Sequence, residues 1–172
     1  MPIYQPSHNE ISFSRRSIFV DTNVLYAAFK KTDDVQKQDA LTFLDLGADL
    51  LIIVPVIVET WGMLVGRDRY WEGGFEFLSW LENPGNSAFP FPQHVENMEF
   101  LYRTTSEVHI DSVDAFLMKT ADEVTEQCNF SPSILIATYD FRDYLKCLIQ
   151  YKMRFNLINP STLEQFPIQV FE

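Results

Sequence analysis

Short apolar runs alternate along this chain with stretches of helical periodicity. Residues 17–20, Ser-Ile-Phe-Val, form a β-branched and aromatic run of the length that suits a buried strand. Thr22 and Asn23 then read as the cap of a short helix over 24–29. Asp33 and Asp34 would cap a second helix over 35–46, in which Val35, Leu41 and Leu44 recur at helical spacing. Residues 50–54 read as a second strand, and Pro55 suits the first position of the helix that follows over 56–66. Helical pattern returns over 75–81 and stops at Asn83-Pro84-Gly85. Residues 88–92 read as a short strand that its prolines confine to a sheet edge. Two helices are expected over about 93–103 and 112–127, then a strand over 134–138, a helix over 143–152 and a last strand over 155–158. Strands alternating with helices predict an α/β fold, a three-layer α/β/α sandwich around a mostly parallel sheet of about five strands. The domain is expected over 17–160, with an N-terminal extension over 1–16 and a C-terminal tail over 161–172.

Four carboxylates fall at equivalent places on this map. Asp21 ends the first strand, and Glu59 lies one turn into the helix after the second. Asp114 lies in the first turn of the helix that starts near Asp111, and Asp140 ends the 134–138 strand. Strand ends and helix starts share one edge of such a sheet, so the four acids are expected to converge there. Two unit charges about 4 Å apart repel by roughly 4 kcal/mol at an effective dielectric near 20. Four cannot stay ionised without protonation, basic partners or a divalent cation. An all-oxygen shell without His or Cys suits Mg2+ or Mn2+.

Structural roles compete with these. Asp21 could cap a helix beside Thr22, and Glu59 could face solvent. Asp111-Ser112-Val113-Asp114 reads as a capping box, with Asp111 at the cap. Asp140 and Asp143 have the same spacing, and the site role goes to Asp140 because it directly ends the strand, with Asp143 as a supporting candidate. Asn23 would orient the first acid or, the favoured reading, cap the helix; Thr138 would orient Asp140 or a water. Arg67, Arg69, Lys119 and Arg142 are candidate phosphate contacts, or exposed charges paired with surface acids. Tyr139 and Trp61 would stack a base or belong to the core.

Charge narrows the partners. A net charge of −11, with 13 Lys and Arg against 24 Asp and Glu, argues against tight, nonspecific binding of nucleic acid without cations. The two cysteines, Cys128 and Cys147, make no metal or disulfide pattern, which points to free thiols in a reducing compartment. The longest apolar run, 50–58, is nine residues and contains Pro55, too short to span a bilayer. Residues 1–16 are polar and carry no apolar signal core, so a cytoplasmic location is expected.

The run Ile18-Phe19-Val20-Asp21-Thr22-Asn23-Val24-Leu25 resembles the opening signature of the PIN domain family. Val54-Pro55-Val56-Ile57-Val58-Glu59 resembles its second acidic position, and Val113-Asp114-Ala115-Phe116-Leu117 with Ala121 its third. Ile136-Ala137-Thr138-Tyr139-Asp140 resembles its last, and Phe155-Asn156-Leu157-Ile158-Asn159-Pro160 its closing strand. The chain departs from the pattern at Tyr139, where a polar residue is usual, and at the acidic-aromatic pair Asp143-Tyr144, which is displaced downstream. The resemblance implies a metal-dependent ribonuclease, with Asp21, Glu59, Asp114 and Asp140 holding one or two Mg2+ or Mn2+ ions. It also implies an RNA substrate, a homodimer, and the possibility of a VapC-like toxin paired with an antitoxin protein. The alternative is a PIN-fold module that binds RNA or protein without cleaving. A phosphatase using Asp21 as nucleophile would want an aspartate two residues on, where this chain has Asn23.

Overall fold

The computed structural model of the protein describes residues 17–83, 88–91, 100, 103–127 and 134–166. Strand β1, Ser17–Val20, is buried along its whole length because it pairs on both sides, with β2 (Asp49–Ile53) and with β4 (Ile134–Ala137), in parallel. A strand enclosed in this way reads as a continuous apolar run rather than an alternating one, as 17–20 does. β3 (Ala88–Phe91) pairs in parallel with β2 and takes the edge that its proline predicted. β5 (Asn156–Ile158) pairs in parallel with β4. The sheet order is β3-β2-β1-β4-β5-β6. Five parallel strands match the expected count. The sixth, β6 (Gln165–Phe166), is two residues long and antiparallel to β5. It lies in the segment expected to be a tail, because two residues are too few to leave a periodic signal.

The helices are α1 (Thr22–Phe29), α2 (Val35–Leu44), α3 (Val54–Trp61), α4 (Trp71–Glu82), α5 (Ser112–Gln127) and α6 (Phe141–Tyr151). Asp34 caps α2 as expected, its carboxylate accepting from the Lys37 N–H at 2.9 Å. The helix expected over 56–66 begins earlier, at Val54, and changes winding at Gly62–Arg67 into a wider π-type turn. α4 begins four residues before the expected start. Gly73 and Gly74 hide it in the sequence, since glycine weakens a helical pattern. Both positions require glycine. A Cβ on Gly73 would stand 2.3 Å from the Phe29 carbonyl, and one on Gly74 2.4 Å from Val65 Cγ2. Gly73→Ala is therefore expected to destabilise the fold by about 1–3 kcal/mol, as overpacking against backbone does; a denaturant melt measures it.

α5 spans the residues expected of it, and α6 starts two residues early. Of the helix expected over 93–103, only residues 100 and 103 are described, and Arg103 leads into a second wide turn, Thr104–Val108. The 1–16 extension, His8, Pro84, Gly85, Pro92, His94 and Cys128 lie outside the described residues. Cys147 is buried with a free thiol. Among the described residues no helix is long and apolar enough to cross a membrane.

The core lies along the sheet: Phe19, Leu51, Ile52, Ile53, Ile136 and Leu157 are all fully enclosed. The strand order carries the functional consequence. The chain runs outward from β1 through β2 to β3, then returns to the other side of β1 as β4. The two connections leave the carboxyl ends of β1 and β4 in opposite directions, which opens a crevice there.

Candidate active site at the carboxyl ends of β1 and β4

The β1–β4 ladder ends on the pair Val20 and Ala137. The Asp21 N–H extends it by one hydrogen bond, to the Ala137 carbonyl at 3.0 Å. Asp21 and Thr138 are thus the first residues past the ladder on adjacent strands, and their side chains meet. Thr138 Oγ1 donates to Asp21 Oδ2 at 2.7 Å. Asn23 Nδ2 donates to the same oxygen at 2.6 Å and to Thr138 Oγ1 at 3.1 Å. Asn23 Oδ1 accepts from the Tyr139 N–H at 3.1 Å, and Thr138 Oγ1 accepts from the Asp140 N–H at 2.9 Å. Asn23 therefore ties the end of β1 to the loop after β4, and the expected capping role is not what it does. Asp21 itself occupies the position before α1, with its side chain turned to these partners.

Two more carboxylates arrive from helices that start at this edge. Glu59, half-buried on α3, accepts from Thr22 Oγ1 at 2.6 Å. Asp114, in the first turn of α5, accepts from the Tyr144 hydroxyl at 3.1 Å through Oδ1. Asp111 performs the capping, its Oδ1 accepting from the Val113 N–H at 2.8 Å. The two acids of the capping-box pattern are thus separated by role: Asp111 serves the helix, and Asp114 turns toward Asp21.

Electrostatics bind these groups into one unit. Asp21 is 2% exposed. Its burial pushes the carboxyl from 3.8 up to about 6, with the charge of Glu59 adding to the rise and the hydrogen bond from Thr138 opposing it. Burial also pushes Asp114 up, to about 8, and the charge of Asp21 contributes next, followed by Asp111 and Glu59. Tyr144 is fully buried, and burial together with the charges of Asp21 and Asp114 holds its phenol well above the usual range. Desolvation dominates throughout, and mutual repulsion adds to it. Asp21 and Asp114 therefore titrate as a pair.

The other candidates sit apart from this unit. Asp140 is exposed just before α6 and is joined to the network through its backbone N–H. Asp143 is half-buried and paired with Lys146 at 2.6 Å. Among the described residues no three Asp, Glu, His or Cys side chains stand around one point that would hold an ion. Arg67 pairs with Asp68 at 2.8 Å and lies over the Tyr26 ring at 4.8 Å. Lys119 pairs with Glu123 at 3.3 Å and lies over the Phe100 ring at 5.9 Å. Arg69 and Arg142 are exposed. Trp61 and Tyr139 are partly buried and packed against the core, Trp61 with its ring edge-on to Trp71 and Phe75.

The sequence names Tyr144 in the displaced pair Asp143-Tyr144 but gives it no role at the site. Tyr144 is the fourth residue of α6, and its hydroxyl partner stands on a different helix. A signal does exist: with Cys147 and Leu148 it makes a buried helical stripe, and a tyrosine on such a stripe needs a polar partner for its hydroxyl.

No family model and no curated protein matches the sequence. Among solved structures, the chain is similar to VapC20 of Mycobacterium tuberculosis, described as a sarcin-ricin loop cleaving toxin, with a TM-score of 0.57 at 16% identity over 75% of this chain and 94% of that one. At this identity the likeness is one of fold. The chain shares the mostly parallel α/β fold of that structure, as the alternation of strands and helices predicted.

Proposed function

We propose that this protein is a divalent-metal-dependent endoribonuclease and the toxin of a toxin–antitoxin pair, acting in the cytoplasm as a homodimer. The observation that carries this is the buried Asp21, fixed by Asn23 and Thr138 and repelled by neighbouring carboxylates, at the topological switch point of a sheet with the VapC fold. A buried set of mutually repelling carboxylates has the charge and the hard oxygen donors that Mg2+ or Mn2+ requires. Asp21, Glu59 and Asp114 would hold the ion or ions, with Asp140 as the fourth acid at the exposed rim. Bound there, the metal would lower the pKa of a water and offset the charge that develops on the phosphate.

The protein's own contribution is orientation. One oxygen of each inner carboxylate is engaged: Asp21 by Asn23 and Thr138, Glu59 by Thr22, Asp114 by Tyr144. Such outer hydrogen bonds fix the direction in which a ligand presents its other oxygen. Arg69 and Arg142, exposed, would contact substrate phosphates. Water attacking phosphorus while the P–O3′ bond breaks leaves a 5′-phosphate on one fragment and a 3′-hydroxyl on the other.

A non-catalytic RNA- or protein-binding module is the second reading, favoured by the fact that no three described acids close around one point. One experiment separates the two. Purified protein is incubated with a ribosomal stem-loop RNA and with unpaired RNA, in Mn2+ and in EDTA. Cleavage confined to Mn2+, leaving 5′-phosphate ends and falling steeply with salt, is the expected result. Cleavage in EDTA, or cyclic phosphate ends, would remove the metal-nuclease assignment; binding without cleavage would favour the module.

The two acids of α5 provide an internal control. Asp111→Asn should keep near-normal cleavage, because asparagine caps a helix about as well as aspartate. Asp114→Asn should fold normally and lose cleavage. The reverse outcome in the same assay would assign the site role to Asp111.

A further inference from the structure

We propose that Tyr144 is a positioning residue that sets the orientation of Asp114 and thereby the cation affinity of the site, an assignment that rests on the ribonuclease reading above. Tyr144 reaches from α6 to the first turn of α5 and donates its hydroxyl proton to Asp114 Oδ1 at 3.1 Å. Its ring is fully enclosed in the core. Among the described residues, it provides the one side-chain hydrogen bond to Asp114.

The surroundings explain why Asp114 depends on this hydroxyl. A phenol has a single proton to give. Asp21 lies within hydrogen-bond reach of the same hydroxyl and also receives Asn23 Nδ2 and Thr138 Oγ1 on Oδ2, so it does not depend on Tyr144. Glu59 has its own donor in Thr22. Among the described residues Asp114 has no side-chain partner from the end of β1, and Tyr144 fills that place from α6. Each inner carboxylate is then held through one oxygen by a side chain of the protein. Tyr144 does this from within the packed core, where its ring cannot swing away.

Tyr144→Phe removes the donor and keeps the ring. Mn2+ binding is measured by the electron paramagnetic resonance of the free ion, on wild type, Tyr144→Phe, Asp114→Asn and the double variant, with thermal melts in EDTA alongside. Tyr144→Phe is expected to raise the Mn2+ dissociation constant about tenfold, the lower end of what lost outer hydrogen bonds cost a metal site. It should lower kcat on RNA by a similar factor with KM for RNA unchanged. In the Asp114→Asn background, the same substitution should change Mn2+ binding less than about twofold, since the residue it orients is already altered. Equal Mn2+ affinity in Tyr144→Phe and wild type would overturn the proposal, as would an equal loss in the Asp114→Asn background. A wild type that binds no Mn2+ would overturn the metal-nuclease reading itself, and this assignment with it.

Discussion

Asp21→Asn is expected to abolish RNA cleavage, by on the order of a thousandfold, while making the metal-free protein more stable at pH 8. The loss corresponds to about 4 kcal/mol of transition-state stabilisation at 1.36 kcal/mol per factor of ten. The gain in stability follows from the same geometry. The new amide would still offer a carbonyl oxygen to Asn23 Nδ2 and Thr138 Oγ1. It would carry no charge, so the desolvation that dominates at this position and the repulsion from Glu59 both disappear. Activity and stability then move in opposite directions, as they do where a site holds its groups against their own preference. Thermal melts in EDTA at pH 8, beside a cleavage assay, measure both. A variant that loses activity and stability together would make Asp21 a structural residue.

Stability of the metal-free protein should fall as pH rises between about 4 and 8. The sign follows from proton counting. Asp21 titrates at about 6 and Asp114 at about 8 in the folded protein, each raised from 3.8. Across that window the folded protein holds more protons than the unfolded chain, so raising pH favours unfolding. Each unit of displacement is worth about 1.4 kcal/mol, and the coupling of the two groups spreads the loss over the window. Asp34 and Asp68 act in the opposite sense, since their hydrogen-bonded carboxyls are lowered from 3.8; their effect falls below about pH 4 and does not overlap. Saturating Mn2+ should flatten the slope, because its stabilising effect grows as protons leave the carboxylates. At a hundred times the dissociation constant the ion should add about 2.7 kcal/mol. Melting temperatures taken from pH 5 to 8 in EDTA and in Mn2+ test this; a metal-free protein that grows more stable toward pH 8 would contradict it.

The sheet was legible from residues 17–20, 50–54, 134–138 and 155–158 because central parallel strands are buried on both faces and leave unbroken apolar runs. Prolines placed β3 at the edge. The positions of Asp21, Glu59 and Asp114 were legible because strand ends and helix starts are marked by the chain itself. What the sequence hides is tertiary. Whether Asn23 caps α1 or reaches the loop after β4 depends on the register Val20–Ala137, across more than a hundred residues of intervening chain. Asp140 and Asp143 have capping-box spacing, yet the structure sends one to the surface and pairs the other with Lys146. The early start of α4 was obscured by Gly73 and Gly74, whose purpose is seen only with Phe29 and Val65 packed against them. Tyr144 was legible only as part of the displaced pair Asp143-Tyr144, because the carboxylate that its hydroxyl meets lies on another helix, thirty residues away.

Single-turnover cleavage of one RNA stem-loop across a titration of free Mn2+, for wild type and Asp21→Asn side by side, tests the central claim most directly. The wild-type rate should rise with Mn2+ to a plateau and return to background in EDTA, and Asp21→Asn should stay at background throughout. Equal rates in the two proteins, or a wild-type rate that does not depend on Mn2+, would contradict it.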